Sequence, residues 1–247
     1  MWNIGDESCI QQSMIYLRTL IFNISFVLLS LGIGLFCLPI IFLYKDKINY
    51  VPKTWTRGVL WMGKVIFRID HKIIGVENIS QQAAIYASKH QSAWDTLIFW
   101  QILPHPVFVL KKELLSIPVF GHYLRHVPHI AIDRKAGASA LKKIIADTKE
   151  HLNAGHQVII FPEGTRSRNG VNAKYQAGIA ALYSSLSATV IPVALNSGKF
   201  WGRGAFSPKK AGKITLQFLP AMPEKMDKST FLQELQNNIE TTTNLLE

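Results

Sequence analysis

From Thr19 to Tyr44 the chain carries no Asp, Glu, Lys or Arg and is dense in Leu, Ile, Phe and Val. That run exceeds the ~20 apolar residues a helix needs to cross a bilayer, so it must be covered by lipid or by the inside of a protein. A cleaved secretion signal is the poorer reading: Asp6 and Glu7 precede the run where a basic cluster is needed, and no small-residue cleavage pattern follows. Gly32, Gly34 and Pro39 leave two shapes open, a helix that crosses and a bent segment that dips into one leaflet.

Charge is distributed unevenly about this segment. The protein has 27 basic and 16 acidic residues, a net charge of +11. Upstream of Lys45 the single Arg18 is outweighed by Asp6 and Glu7, so the whole excess lies downstream. Lys45, Lys47, Lys53, Arg57, Lys64, Arg68 and Lys72 follow the apolar run, and this asymmetry predicts a body on the cytoplasmic side. A basic body beside an anchor favours anionic phospholipid membranes and phosphorylated substrates. Nucleic acid is the competing partner for such charge, but no recognition-helix, zinc-finger or ribonucleoprotein-type aromatic signature accompanies it. A composition of 48% hydrophobic and 17% charged residues excludes extended disorder. The 247 residues suit one catalytic unit with an appended anchor. Cys9 and Cys37 support neither a disulfide framework nor a thiolate metal site.

Between Trp55 and Ile69, the residues Trp55, Val59, Met62, Ile66 and Ile69 fall near one helical face, with Arg57, Lys64 and Arg68 interspersed. Two readings have equal weight: a basic amphipathic helix lying on a bilayer, and an ordinary core-facing helix. Further on, short apolar runs alternate with helical periodicity. Residues 83–88, 107–110, 130–132, 158–161, 190–195 and 214–219 read as buried strands. Leu141, Ile144, Ile145, Thr148 and Leu152 repeat at helical spacing with Gly155 as a stop, and Asp227 or Ser229 can start a last helix carrying Phe231, Leu235 and Ile239. Such alternation predicts an α/β fold, a largely parallel sheet flanked by helices, behind a hydrophobic, membrane-anchoring helical segment.

Two short motifs follow predicted strands. In His90-Gln91-Ser92-Ala93-Trp94-Asp95 the five-residue spacing would put the two ionisable side chains about 140° apart on a continuous helix, so one helix cannot pair them. A strand-to-helix turn can fold the carboxylate back to one imidazole nitrogen, leaving the other as a base for a hydroxyl. In Phe161-Pro162-Glu163-Gly164-Thr165-Arg166 a glycine turn exposes amides beside a guanidinium that can grip phosphate. Lys111, Lys112, Arg134, Arg168 and Lys174 add positive charge around these loops. Taken singly, each motif is more often an ordinary polar turn. His122, His126 and His129 are better read as a surface cluster than as a metal site, since Pro128 interrupts any helix they would share.

Together the motifs resemble those of the 1-acylglycerol-3-phosphate acyltransferases, within the broader glycerolipid acyltransferase family. His90 and Asp95 match the family's His-x-x-x-x-Asp box, and Glu163, Gly164, Thr165 and Arg166 its Glu-Gly-Thr-Arg box. Lys112-Glu113-Leu114, Pro118, Gly121 and Ile132-Asp133-Arg134 match its second region, and Val190-Ile191-Pro192-Val193 its fourth. Two positions depart from the pattern. Lys89 stands where the family often has Asn, and Val127-Pro128-His129 replaces an expected glycine-containing turn.

The resemblance implies an enzyme that moves a fatty acyl group from a thioester, acyl-CoA or acyl carrier protein, to the free hydroxyl of lysophosphatidic acid, giving phosphatidic acid. No cofactor or metal is implied. His90 would be the base and Asp95 its orienting partner. Arg166 and one of Lys111 or Lys112 would bind the acceptor phosphate on the loop shaped by Gly164 and Thr165, with Glu163 orienting the loop or the acceptor. The expected division is 1–72 as anchor and basic interfacial helix and 73–247 as acyltransferase domain. Two alternatives stand beside this reading: another acceptor, such as a lyso-aminolipid or glycerol 3-phosphate, and a lipid-binding protein without turnover.

Overall fold

A computed structural model of the protein describes residues 4–37, 43–44, 47–117, 120–168, 170–171, 173–204 and 207–246; Pro39, Lys45 and Pro118 lie outside them. The chain opens with α1 (Ile4–Phe36) and α2 (Tyr50–Phe67). There follow β1 (Ile69–Ile74), β2 (Ala84–Ser88), α3 (Trp94–Ile102), β3 (Pro106–Lys111), α4 (Phe120–Leu124) and β4 (His129–Ile132). The remainder is α5 (Gly137–Asn153), β5 (Gln157–Ile160), α6 (Ala177–Leu186), β6 (Val190–Leu195), β7 (Gly212–Phe218) and α7 (Lys228–Leu245).

The strands form one sheet in the order β1-β7-β6-β2-β5-β3-β4. From β6 to β4 every pairing is parallel, whereas β7 runs antiparallel to β6 and carries β1 parallel to itself. The expected mixed α/β fold with a largely parallel sheet is therefore the observed one. Because successive strand residues point to opposite faces, the sheet divides its apolar side chains between two cores. Ala84 and Tyr86 of β2 join Ile191 and Val193 of β6, Trp94 and Phe99 of α3, Val59 and Phe67 of α2 and Phe22 of α1. Ile85 and Ala87 point the other way, to Ile144 of α5, Leu182 of α6 and Phe231, Leu235 and Ile239 of α7. Three layers result, with α1, α2 and α3 on one face and α5, α6 and α7 on the other.

Helix ends follow local chemistry. Gly155, with φ +81°, lies just past the end of α5 as the sequence suggests. The Asp227 carboxylate accepts from the Ser229 and Thr230 backbone N–H groups and caps α7.

The segment from Trp55 divides its apolar face between two elements. Val59 and Met62 are buried and Trp55 and Ile66 pack partly against the core, so this face is turned to the sheet rather than outward. The helix stops at Phe67, Arg68 takes a left-handed conformation (φ 57°), and Ile69 opens β1. The division expected after residue 72 thus runs through β1. Within α1, Gln12–Phe36 is long and apolar enough to cross a membrane by length and composition, with a mean hydropathy of 2.1. Leu20, Ile24, Leu28, Leu31 and Leu35 are exposed along it. One stripe nevertheless faces protein: Phe22 sits against Phe67 and Trp201, and the Tyr123 hydroxyl donates to the Gly34 carbonyl.

Candidate active site

Parallel strands place all their C-terminal ends at one edge, and loops leaving that edge form the usual crevice of such sheets. Here β2 delivers Lys89 and His90, β5 delivers Phe161 to Ser167, β3 ends at Lys111, β4 leads into Asp133 and Arg134, and β6 leads into Asn196 and Ser197. Both motifs noted in the sequence therefore lie on adjacent strands, since β2 pairs directly with β5.

His90 belongs to a turn between β2 and α3, and Asp95 to the first turn of α3. The turn brings the Asp95 Oδ2 atom to 3.0 Å from His90 Nδ1. That same oxygen accepts the backbone N–H of Gln91 at 2.6 Å and of Ser92 at 2.8 Å. Its other oxygen accepts the Ser197 hydroxyl at 2.5 Å and lies 3.2 Å from the Ser92 hydroxyl. The carboxylate thus accepts from donors at both oxygens, in the first turn of α3. It fixes the imidazole with the proton on Nδ1, which leaves the Nε2 lone pair as the available base. Asp95 is fully buried, while the His90 side chain retains 12% exposure, so of the pair only the histidine reaches the surface. The His90 ring also stacks on Phe161 at 3.9 Å between centroids.

The backbone of His90 is held by the β5 loop. Its N–H donates to Glu163 Oε1 at 2.9 Å, and its carbonyl accepts the Ser167 N–H at 2.8 Å. Glu163 is 4% exposed and turned into the protein, so among the expected site residues it meets the His90 turn and not the open rim. Burial pushes its carboxyl up from the ordinary glutamate range, opposed by the His90 N–H and the Lys89 ammonium. Gly164 adopts φ +71°, and the Arg134 guanidinium lies over it, 3.5 Å from where a Cβ would stand. Thr165 is exposed and Arg166 half-buried. One nitrogen of Arg166 donates to the Arg203 carbonyl at 2.8 Å, which aims the guanidinium; among the described residues its other N–H groups meet no acceptor. Lys111 and Lys112 are exposed at the end of β3, one strand over from this loop.

Sequence reasoning missed two supports. Ser197 follows β6 at the same sheet edge, and its only signal was a serine two residues after the apolar run Val190 to Leu195. Glu240, on α7, binds Lys89. Its signal was an acid beside the apolar stripe of Leu235 and Ile239, with a lysine at a buried strand end that required a partner. Among the described residues no group of three or more His, Cys, Asp or Glu side chains is arranged to hold a metal ion. The His126 and His129 Nδ1 atoms each face a backbone carbonyl, of His122 and Val127.

Residues 70–196 match the family model described as Acyltransferase. A 1-acyl-sn-glycerol-3-phosphate acyltransferase of Pseudomonas aeruginosa is 34% identical over 197 residues, spanning 80% of this chain and 76% of that protein. A protein of the same name from Limnanthes douglasii is 31% identical over 164 residues, 66% of this chain and 56% of its own length. The solved 1-acyl-sn-glycerophosphate (LPA) acyltransferase PlsC from Thermotoga maritima superposes with a TM-score of 0.62 at 20% identity, covering 91% of this chain and 98% of that one; this likeness concerns the fold. The matched stretch begins in β1, ends just beyond β6 and takes in both the His90–Asp95 turn and the loop after β5, and with the bacterial relative at 34% identity it makes this chain a member of the acyltransferase family.

Proposed function

We propose that the protein transfers a fatty acyl group from an acyl thioester to the free hydroxyl of 1-acylglycerol 3-phosphate, producing phosphatidic acid for phospholipid synthesis. The observation that carries this reading is the His90–Asp95 pair, with one imidazole edge open beside a cationic rim containing Arg166, Arg134, Lys111 and Lys112. The relatives' names supply the acceptor class. In the proposed reaction Nε2 of His90 takes the proton of the acceptor hydroxyl as its oxygen attacks the thioester carbonyl. The tetrahedral intermediate then expels thiolate, which recovers that proton from the imidazolium. Asp95 stabilises the imidazolium throughout. General-base assistance of this kind contributes about 10²–10⁴ in rate. Holding both substrates in line supplies much of the rest.

The acceptor is itself a membrane lipid, which gives the N-terminal helix a purpose. In this reading Gln12–Phe36 anchors the protein in an anionic phospholipid membrane. The basic residues that follow it hold the active site at the cytoplasmic leaflet.

The decisive experiment offers purified protein acyl-CoA and acyl carrier protein thioesters against lysophosphatidic acid, glycerol 3-phosphate and a lyso-aminolipid. Phosphatidic acid from lysophosphatidic acid, at a kcat/KM well above those for the other acceptors, is the expected result. A better rate with another acceptor overturns the acceptor assignment, and lipid binding without transfer overturns the enzyme.

Arg166→Lys tests the phosphate clamp. Lysine keeps the charge but loses the planar fork, so the KM for lysophosphatidic acid should rise about tenfold, the effect of one charge-assisted hydrogen bond. The KM for the thioester should stay within about twofold. A rise in the thioester KM alone would assign Arg166 to the donor.

A further inference from the structure

Lys89 departs from the family pattern, and its surroundings give the departure a purpose. Its side chain is 1% exposed, directly before the catalytic histidine. The ammonium lies 2.7 and 2.8 Å from the two carboxylate oxygens of Glu240 and 3.5 Å from Glu163 Oε2. The Tyr175 hydroxyl donates to Glu240 Oε1 at 3.0 Å, and the Val171 carbonyl lies 3.5 Å from the lysine nitrogen. Two buried carboxylates thus share one buried cation. Desolvation makes such a cluster a poor source of stability, so its use is sought in what it orients.

The oxygens of Glu163 divide their partners. Oε1 accepts the His90 N–H, while Oε2 faces Lys89. Turning this carboxylate would release the peptide that carries the catalytic imidazole. Glu240 comes from α7, which packs against β6, so the last helix reaches beneath the turn between β2 and α3.

We infer that Lys89 and Glu240 are positioning residues for the acyl transfer: the ammonium holds Glu163 in the orientation that fixes the His90 peptide, and Glu240 holds the ammonium. The inference rests on the reading of His90 as the base. Without the ammonium, Glu163 and Glu240 would face each other in a dry pocket. Burial and the neighbouring Glu240 both push the Glu163 carboxyl up, and Lys89 is the cation that opposes them. One carboxylate would then take up a proton or turn away, and the histidine would shift with it.

The test compares kcat and both KM values for wild type, His90→Ala, Lys89→Met, Lys89→Arg and Lys89→Met/Glu240→Gln, each full-length in detergent or vesicles and shown folded by circular dichroism. Lys89→Met should lower kcat about 10²-fold, the scale that a ~1 Å misplacement of a reacting group costs. Both KM values should stay within about threefold, because neither residue touches the rim. Lys89→Arg keeps the cation and should recover at least tenfold of that loss. The double variant removes one carboxylate along with the cation and should also exceed Lys89→Met by about tenfold, as coupled neighbours do. If Lys89→Met does not fold, Glu240→Gln carries the test, with an expected kcat loss of about tenfold at unchanged KM. A folded Lys89→Met, or in its place a folded Glu240→Gln, with wild-type kcat overturns the inference, even if it melts earlier. Turnover by His90→Ala instead overturns the base reading beneath it.

Discussion

His90→Ala is expected to reduce acyl transfer at least 10³-fold, within the range that removal of a general base produces. The fold should survive. What ties this residue into the protein is its backbone, through Glu163 and Ser167, and alanine keeps both hydrogen bonds. The ring itself covers Phe161 at a partly exposed site, so its loss opens a surface notch rather than a sealed cavity. Circular dichroism and vesicle association should therefore match wild type while kcat collapses. Purified His90→Ala with more than a tenth of wild-type turnover would remove the histidine from the chemistry.

Asp95→Asn is expected to lower kcat by about 10³–10⁴, approaching the loss seen when the acid of a Ser-His-Asp triad is neutralised. The geometry makes this substitution informative. The amide oxygen can occupy the Oδ2 position, where it accepts from His90 Nδ1 and the Gln91 and Ser92 backbone N–H groups. The amide nitrogen then meets the Ser92 and Ser197 hydroxyls, which can rotate to accept in place of donating. The lost negative charge, with the imidazolium no longer stabilised in the buried pocket, then accounts for the rate defect. A measured kcat within tenfold of wild type would mean that Asp95 serves the turn and not the reaction.

How much of this was readable in the sequence depends on distance along the chain. The strand β6 was legible to the residue because a central strand covered on both faces is one continuous apolar run, Val190 to Leu195. The edge strand β1, Ile-Asp-His-Lys-Ile-Ile, was not: it pairs with β7 alone, and its charged middle serves an edge that must resist further pairing. Its first residue also completes the helical spacing of Trp55 to Ile66, so periodicity assigned Ile69 to the wrong element. In the site, His90 and Asp95 were legible because a five-residue turn joins them. Ser197 stands 102 positions from Asp95, and Glu240 151 positions from Lys89. Their places depend on sheet order and helix packing, which no local pattern encodes.

Phe22 imposes two demands on a single helix. One stripe of α1 is shaped to fit Phe67 and Trp201, while the rest must dissolve in hydrocarbon if the proposed attachment holds. An anchor transplanted from an unrelated membrane protein satisfies only the second demand. Such a chimera would reach the bilayer yet leave a hole over Phe67 and Trp201, and a tail-less version made for solubility would expose the same greasy seam to water. On the proposed attachment, anchoring and folding are written into the same turns of helix, and sequence changes that tune one are constrained by the other.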